Sequence, residues 1–156
     1  MNIVGFISEH ESISRPNLGI PLKELFNGLE ITPSKLSKII DYLQNAKCLI
    51  SKTLFFFDTE NNPIGSYIIY TDGKWLWPSY YVYYMKMKSR ILIPNDFIKN
   101  IESNNFINPI LTDEEVHNAE LYYMRIFPPS KSTNVRPKIE ELGLLNKKDN
   151  IPKWWK

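Results

Sequence analysis

The most regular hydrophobic spacing in this chain falls in TPSKLSKIIDYLQNA, residues 32–46, where Leu36, Ile39, Ile40, Leu43 and Ala46 line one stripe at the helical period. Thr32 stands where an N-cap is wanted and Pro33 occupies the first turn, so the pattern predicts a helix from residue 33. The period then changes. CLISKTLFFFD and GSYIIYT are rich in β-branched and aromatic residues and flank TENNPI, whose Asn61, Asn62 and Pro63 favour a turn; they read as paired strands. After Asp72-Gly73, a dipeptide suited to a two-residue type I′ turn, KWLW re-enters as a third strand that Pro78 stops. Trp75 and Trp77 are two apart on that strand and share a face, most simply the core face against the first helix.

The run SYYVYYMKMK fits helix or strand. Tyr80, Tyr81, Tyr84 and Met85 are spaced for one helical face, Ser79 can act as a cap, and Lys86, Lys88 and Arg90 gather where a helix dipole favours cations, so helix is preferred. A short helix follows from about Asn95 with Phe97, Ile98 and Ile101 inward. Thr112 and Glu115 then form a capping box opening a helix that Pro128-Pro129 must end. Beyond lie a loop, a short helical PKIEEL closed by Gly143, and a Lys/Trp tail. The expected fold class is α+β: a small antiparallel β-meander packed by several helices, with residues 1–130 as one domain and 131–156 as a basic, Trp-containing extension packed on it or partly exposed.

Length and composition narrow the function classes. At 156 residues the chain can bury a core of its own as one domain. No apolar run approaches the roughly 20 residues needed to span a bilayer, and the opening MNIVGFISEHESISRP has no secretory pattern, so a cytoplasmic location is expected. Residues 1–130 hold 12 basic and 14 acidic side chains, a net −2, against 7 and 3 in residues 131–156, a net +4. Such a tail suits nucleic acid, an anionic membrane or an acidic partner, or is merely solvated; Trp154 and Trp155 within it either fold back or mark a docking patch.

Catalytic and metal-binding patterns are absent. There is no GxSxG elbow, phosphate loop or GxGxxG. His10 and His117 are far apart, without a second histidine at ligand spacing. Cys48, the only cysteine, sits among apolar neighbours and reads as a buried inert thiol rather than a nucleophile. No enzyme activity, cofactor, metal or small-molecule substrate is expected, although an enzyme with a site of novel pattern stays open. The predicted helix and hairpin of residues 32–71 resemble the recognition helix and wing of winged-helix DNA-binding domains, the alternative function. Lys35 and Lys38 are the only cations inside that helix, Asp41 opposes them, and the wing carries Asp58 and Glu60 where phosphates demand positive charge, so nucleic acid is the weaker choice of partner.

Between residues 70 and 84, YTDGKWLWPSYYVYY, seven of fifteen side chains are Tyr or Trp. The turn and strand T-D-G-x-W-x-W-P, a Tyr-rich helix and an I/L-P-x-x-F helix resemble small cytosolic immunity proteins encoded beside bacterial contact-dependent inhibition and other polymorphic-toxin genes. The resemblance spans roughly residues 66–101 and rests on Thr71, Asp72, Gly73, Trp75, Trp77, Pro78, Tyr84, Pro94 and Phe97. It implies a protein that performs no chemistry and binds a cognate toxin C-terminal domain, with no membrane partner. Such an inhibitor needs an interface of about 1,600 Å² with a few buried anchors. Tyr80, Tyr81, Tyr83 and Tyr84 are the candidate anchors on the helix, with Tyr81 and Tyr83 preferred; Asp58 and Glu60 in the meander loop are candidates to meet a basic toxin surface, and Trp154 and Trp155 complete the set.

Overall fold

A computed structural model describes residues 1–11 and 18–127. Helices and a mixed sheet form one α+β domain in the order β1 (Asn2–Ile3), α1 (Ser8–Glu11), α2 (Leu22–Leu25), α3 (Pro33–Gln44), β2 (Lys47–Phe57), β3 (Pro63–Thr71), β4 (Trp75–Pro78), α4 (Ser79–Met87), α5 (Asn95–Ser103) and α6 (Asp113–Ile126). The expected antiparallel meander β2-β3-β4 is present. It is extended by the two-residue β1, which pairs in parallel with β4, so the sheet order is β1-β4-β3-β2.

Two antiparallel registers set the faces of the sheet. Tyr70 pairs with Trp77, and Ile69 with Pro78 and with Ile50. Trp75 and Trp77 therefore point to one side, where their rings meet Phe97 of α5 at 4.8 and 5.4 Å. The Trp77 indole also donates to the Leu43 carbonyl at the end of α3, 3.1 Å away, so the ring is buried without leaving its polar edge unmatched. Leu76 and Pro78 point the other way and are buried as well, so both faces of β4 are covered.

The junction of β4 and α4 differs from the expected cap. Ser79 makes no side-chain cap to its helix. Its hydroxyl instead donates to the Ser66 carbonyl (2.8 Å) and accepts from the Ile68 amide (3.2 Å). Where β4 turns into helix and stops supplying backbone partners to β3, this side chain continues the ladder by one step. The Asp72-Gly73 turn is likewise not a type I′ turn. Among the described residues, Asn61, Asn105 and Phe106 are the non-glycines at positive φ, so Asp72 does not adopt the required conformation. Its Oδ1 accepts from the Lys74 and Trp75 amides at 2.9 and 2.8 Å, and this local acceptor closes a wider loop between the paired Thr71 and Leu76.

The remaining helices follow their sequence signals. Helix α5 buries Phe97 and Ile101 and ends in a Schellman motif, with the Asn105 amide on the Glu102 carbonyl (2.9 Å) and the Phe106 amide on the Ile101 carbonyl (3.0 Å). Helix α6 opens with the complete capping box of Thr112 and Glu115. Gly5, at φ 72, lets the Tyr81 ring lie against its backbone: a Cβ there would stand 2.1 Å from Tyr81 Cγ. The Pro128-Pro129 stop, the PKIEEL helix with Gly143, and the 131–156 extension fall outside the described residues.

Candidate functional site

The Tyr-rich helix α4 is mostly core. Tyr80 and Tyr81 are 0% exposed and Tyr84 is 2% exposed, so these three offer no surface to a partner, contrary to their place among the anticipated anchors. The reason is that α4 lies between the sheet and the N-terminal segment, which cover two sides of a short helix. The Tyr81 hydroxyl donates to the Leu92 carbonyl (2.9 Å), and burial pushes its pKa up. Tyr80 donates to the buried Glu11 carboxylate (2.9 Å) and accepts from the Ile7 amide (3.2 Å). Its pKa is pushed well up, by burial first and by the Glu11 charge second.

His10 belongs to the same packed cluster, although its polar sequence surroundings gave no hint of it. Its ring lies 5.2 Å from Phe56, 4.6 Å from Tyr80 and 5.8 Å from Tyr84, and its Nε2 is 2.9 Å from the Tyr84 hydroxyl. Burial drives the imidazole pKa down to about 4, with Glu9 opposing part of the effect. Perturbed titratable groups are thus gathered here, yet packing serves them rather than an opening. A cavity of about 280 Å³ elsewhere, lined by Ile3, Val4, Phe6, Leu25, Leu92 and neighbouring backbone, contains no ionisable side chain.

Three of the anticipated residues do converge, at the tip of the β2–β3 hairpin. Asp58 Oδ1 accepts from the Glu60 and Asn62 amides, both at 2.8 Å; its Oδ2 accepts from the Asn62 side chain (3.1 Å) and from the Tyr83 hydroxyl (2.8 Å). Desolvation would raise the Asp58 carboxyl, but the bonds from Asn62, Tyr83 and Glu60 outweigh it and hold the pKa down to about 2. The shared proton of that contact raises the Tyr83 pKa. Three of the four acceptor positions of Asp58 are taken by the turn and the fourth by Tyr83, and at 6% exposure it is not free to meet a basic surface as anticipated. Glu60 is exposed. Beside it, sequence reasoning missed Phe55 and Phe57, which are 58% and 52% exposed on either side of the buried Phe56. Strand alternation around the FFF run was the available signal.

Other candidates resolve differently. Cys48 is exposed, not buried: it lies on β2, the outermost strand among the described residues, opposite Tyr70 of β3. Lys35 forms an ion pair with Glu102 at 2.7 Å and Lys38 lies 5.6 Å from the Phe106 ring centre, so both cations of the winged-helix alternative are engaged within the fold. Buried Asp72 gathers Tyr42 (2.8 Å) and Asn100 (2.7 Å) on its second oxygen, tying the T-D-G loop to α3 and α5. This acid of the resemblance motif is structural. Among the described residues there is no group of three or more His, Cys, Asp and Glu placed to hold a metal, and no helix long and apolar enough to cross a membrane. Trp154 and Trp155 lie outside the described residues.

Comparisons of the chain with protein-family models, with curated proteins and with solved structures return no match.

Proposed function

We propose that this protein is a cytoplasmic immunity protein that neutralises a cognate bacterial toxin domain by stoichiometric binding and turns nothing over. The observation carrying this reading is where the fold spends its apolar and titratable groups. His10, Tyr80 and Tyr84, all with perturbed pKa values, are packed together, and no ionisable group lines the described cavity, whereas Ile110 (99% exposed), Ile107 (70%), Phe55 and Phe57 stand on the surface. Folding alone gives no reason to leave Phe55 and Phe57 wet on a strand, and contact with another protein does. The motif resemblance over residues 66–101 supplies the kind of partner. Winged-helix binding is the weaker reading, because Lys35 and Lys38 already have intramolecular partners.

The test is co-purification of the chain with the toxin domain encoded by the adjoining gene, carrying an inactivating substitution in that domain. A one-to-one complex surviving gel filtration supports the reading; separate elution at micromolar concentrations of both proteins removes it.

A further inference from the structure

The apolar cavity beside the N-terminal segment has an occupant in the chain itself: we infer that an indole of the Trp154-Trp155 pair fills it. Three observations converge. The first is size and chemistry. The cavity holds about 280 Å³ and is lined chiefly, among the described residues, by Ile3, Val4, Phe6, Ile20, Leu25 and Leu92. A dry apolar cavity of about 150 Å³ accommodates a benzene ring, so this larger volume suits an uncharged two-ring group, which an indole is. A single leucine from the same stretch, such as Leu144, would leave much of the space empty.

The second observation is where the described chain leaves off. Phe127 is buried, and its ring lies 5.0 Å from Phe6, one wall of the cavity, and 4.6 Å from Tyr123 of α6. Residue 128 therefore starts beside the cavity, and Trp154 follows Phe127 by 27 positions. The entropy of closing a link grows only slowly with its length, so a span of this size can return to its starting point at modest cost. The third is charge. Residues 131–156 carry a net +4 and residues 1–130 a net −2, so the two attract. Lys153 and Lys156 flank the indoles and keep their ammonium groups in water at the mouth. A second copy offers the same rings, but at micromolar protein the tethered pair stands at a far higher effective concentration. The contact straps α6 to the N-terminal segment, whose β1 joins the sheet through two residues.

The experiment uses the full chain with labelled methyl groups, read by nuclear magnetic resonance at two concentrations about tenfold apart. Wild type shows nuclear Overhauser contacts from an indole ring to the methyls of Ile3, Val4 and Leu25 at both concentrations. Trp154→Ala with Trp155→Ala abolishes them, which separates them from any contact to Trp75 or Trp77. Free indole is the second probe. The double variant takes it up with a dissociation constant on the order of 1 mM, seen as shifts of the same methyl signals, and wild type at equal indole shifts at least about tenfold less. The Leu92 amide, bonded to the Leu25 carbonyl at 2.7 Å in the cavity wall, exchanges about tenfold faster in the variant. Absence of the methyl contacts in wild type, or equal indole uptake by wild type and variant, would overturn the assignment. Contacts found only between differently labelled copies and lost on dilution would place the ring in a neighbouring molecule and overturn it as well. No toxin domain enters the test, so its failure and that of the function proposed above are separate results.

Discussion

Protonation of His10 should cost this fold stability in a pH range where most carboxylates remain ionised. In the folded protein the imidazole is surrounded by Phe56, Tyr80 and Tyr84 and its pKa is down to about 4, against 6.5 when unfolded. A group whose native pKa is depressed contributes stability above its unfolded pKa and loses it as pH falls, because the unfolded state takes up the proton first. The window is therefore between about pH 6.5 and pH 4. The full effect is roughly 3 kcal/mol below pH 4, of which about 2 kcal/mol has gone by pH 5. For a chain of this length that corresponds to about 4–8 °C in melting temperature. His10→Phe keeps an aromatic ring in the cluster and removes the titration. Urea denaturation of both proteins at pH 7.5 and pH 5.0 isolates the histidine's share, since other titrating groups are common to the two. Wild type should lose about 2 kcal/mol more than the variant over that interval. Equal losses would show that the ring is solvated in the native state and that the packed cluster is drawn wrongly.

Three substitutions probe the framework around the proposed surface. Gly5→Ala places a methyl group against the Tyr81 ring at a φ of 72 and should destabilise by about 3 kcal/mol or more in chemical denaturation; a loss under about 1 kcal/mol would mean the two segments do not touch. Ser79→Ala strands the Ser66 carbonyl and the Ile68 amide and should cost about 1–3 kcal/mol, with faster exchange at Ile68 as the local readout; protection at Ile68 equal to wild type would refute the bridging role. Asp72→Ala unmakes the contacts to Tyr42, Asn100, Lys74 and Trp75 together and should cost about 3 kcal/mol, whereas toxin-domain affinity of the protein that remains folded should not change; a selective loss of affinity would make Asp72 a contact residue instead.

How much of this was legible in the sequence follows from which signals are local. The stripe Leu36, Ile39, Leu43, the Thr112–Glu115 box and the Asn61-Asn62-Pro63 turn are written within a few residues of one another, and α3, α6 and the β2–β3 hairpin appear where those signals put them. Parallel strand β1 was not legible: two residues, Asn2 and Ile3, pair with Trp75 and Leu76 more than 70 positions away, and nothing near the N-terminus announces it. Asp72-Gly73 misled because the same aspartate suits a left-handed turn and a side-chain acceptor, and here the acceptor role won through its amide contacts. The aromatic segment drew attention as a surface because Tyr is common at interfaces. Its burial depends on α4 lying between the sheet and the N-terminal segment, a tertiary fact. The candidate site was therefore read half correctly: Asp58, Glu60 and Tyr83 do share one place, but two of them brace it, and the exposed rings beside them come from β2.

The claim that this chain disarms a partner by occupying it is tested most directly by survival. Bacteria expressing the active toxin domain together with this protein should grow as controls do, and the same domain with the Phe55→Glu, Phe57→Glu variant at equal abundance should kill. Cells that die alike with the wild-type protein, the variant or an empty vector would contradict the account.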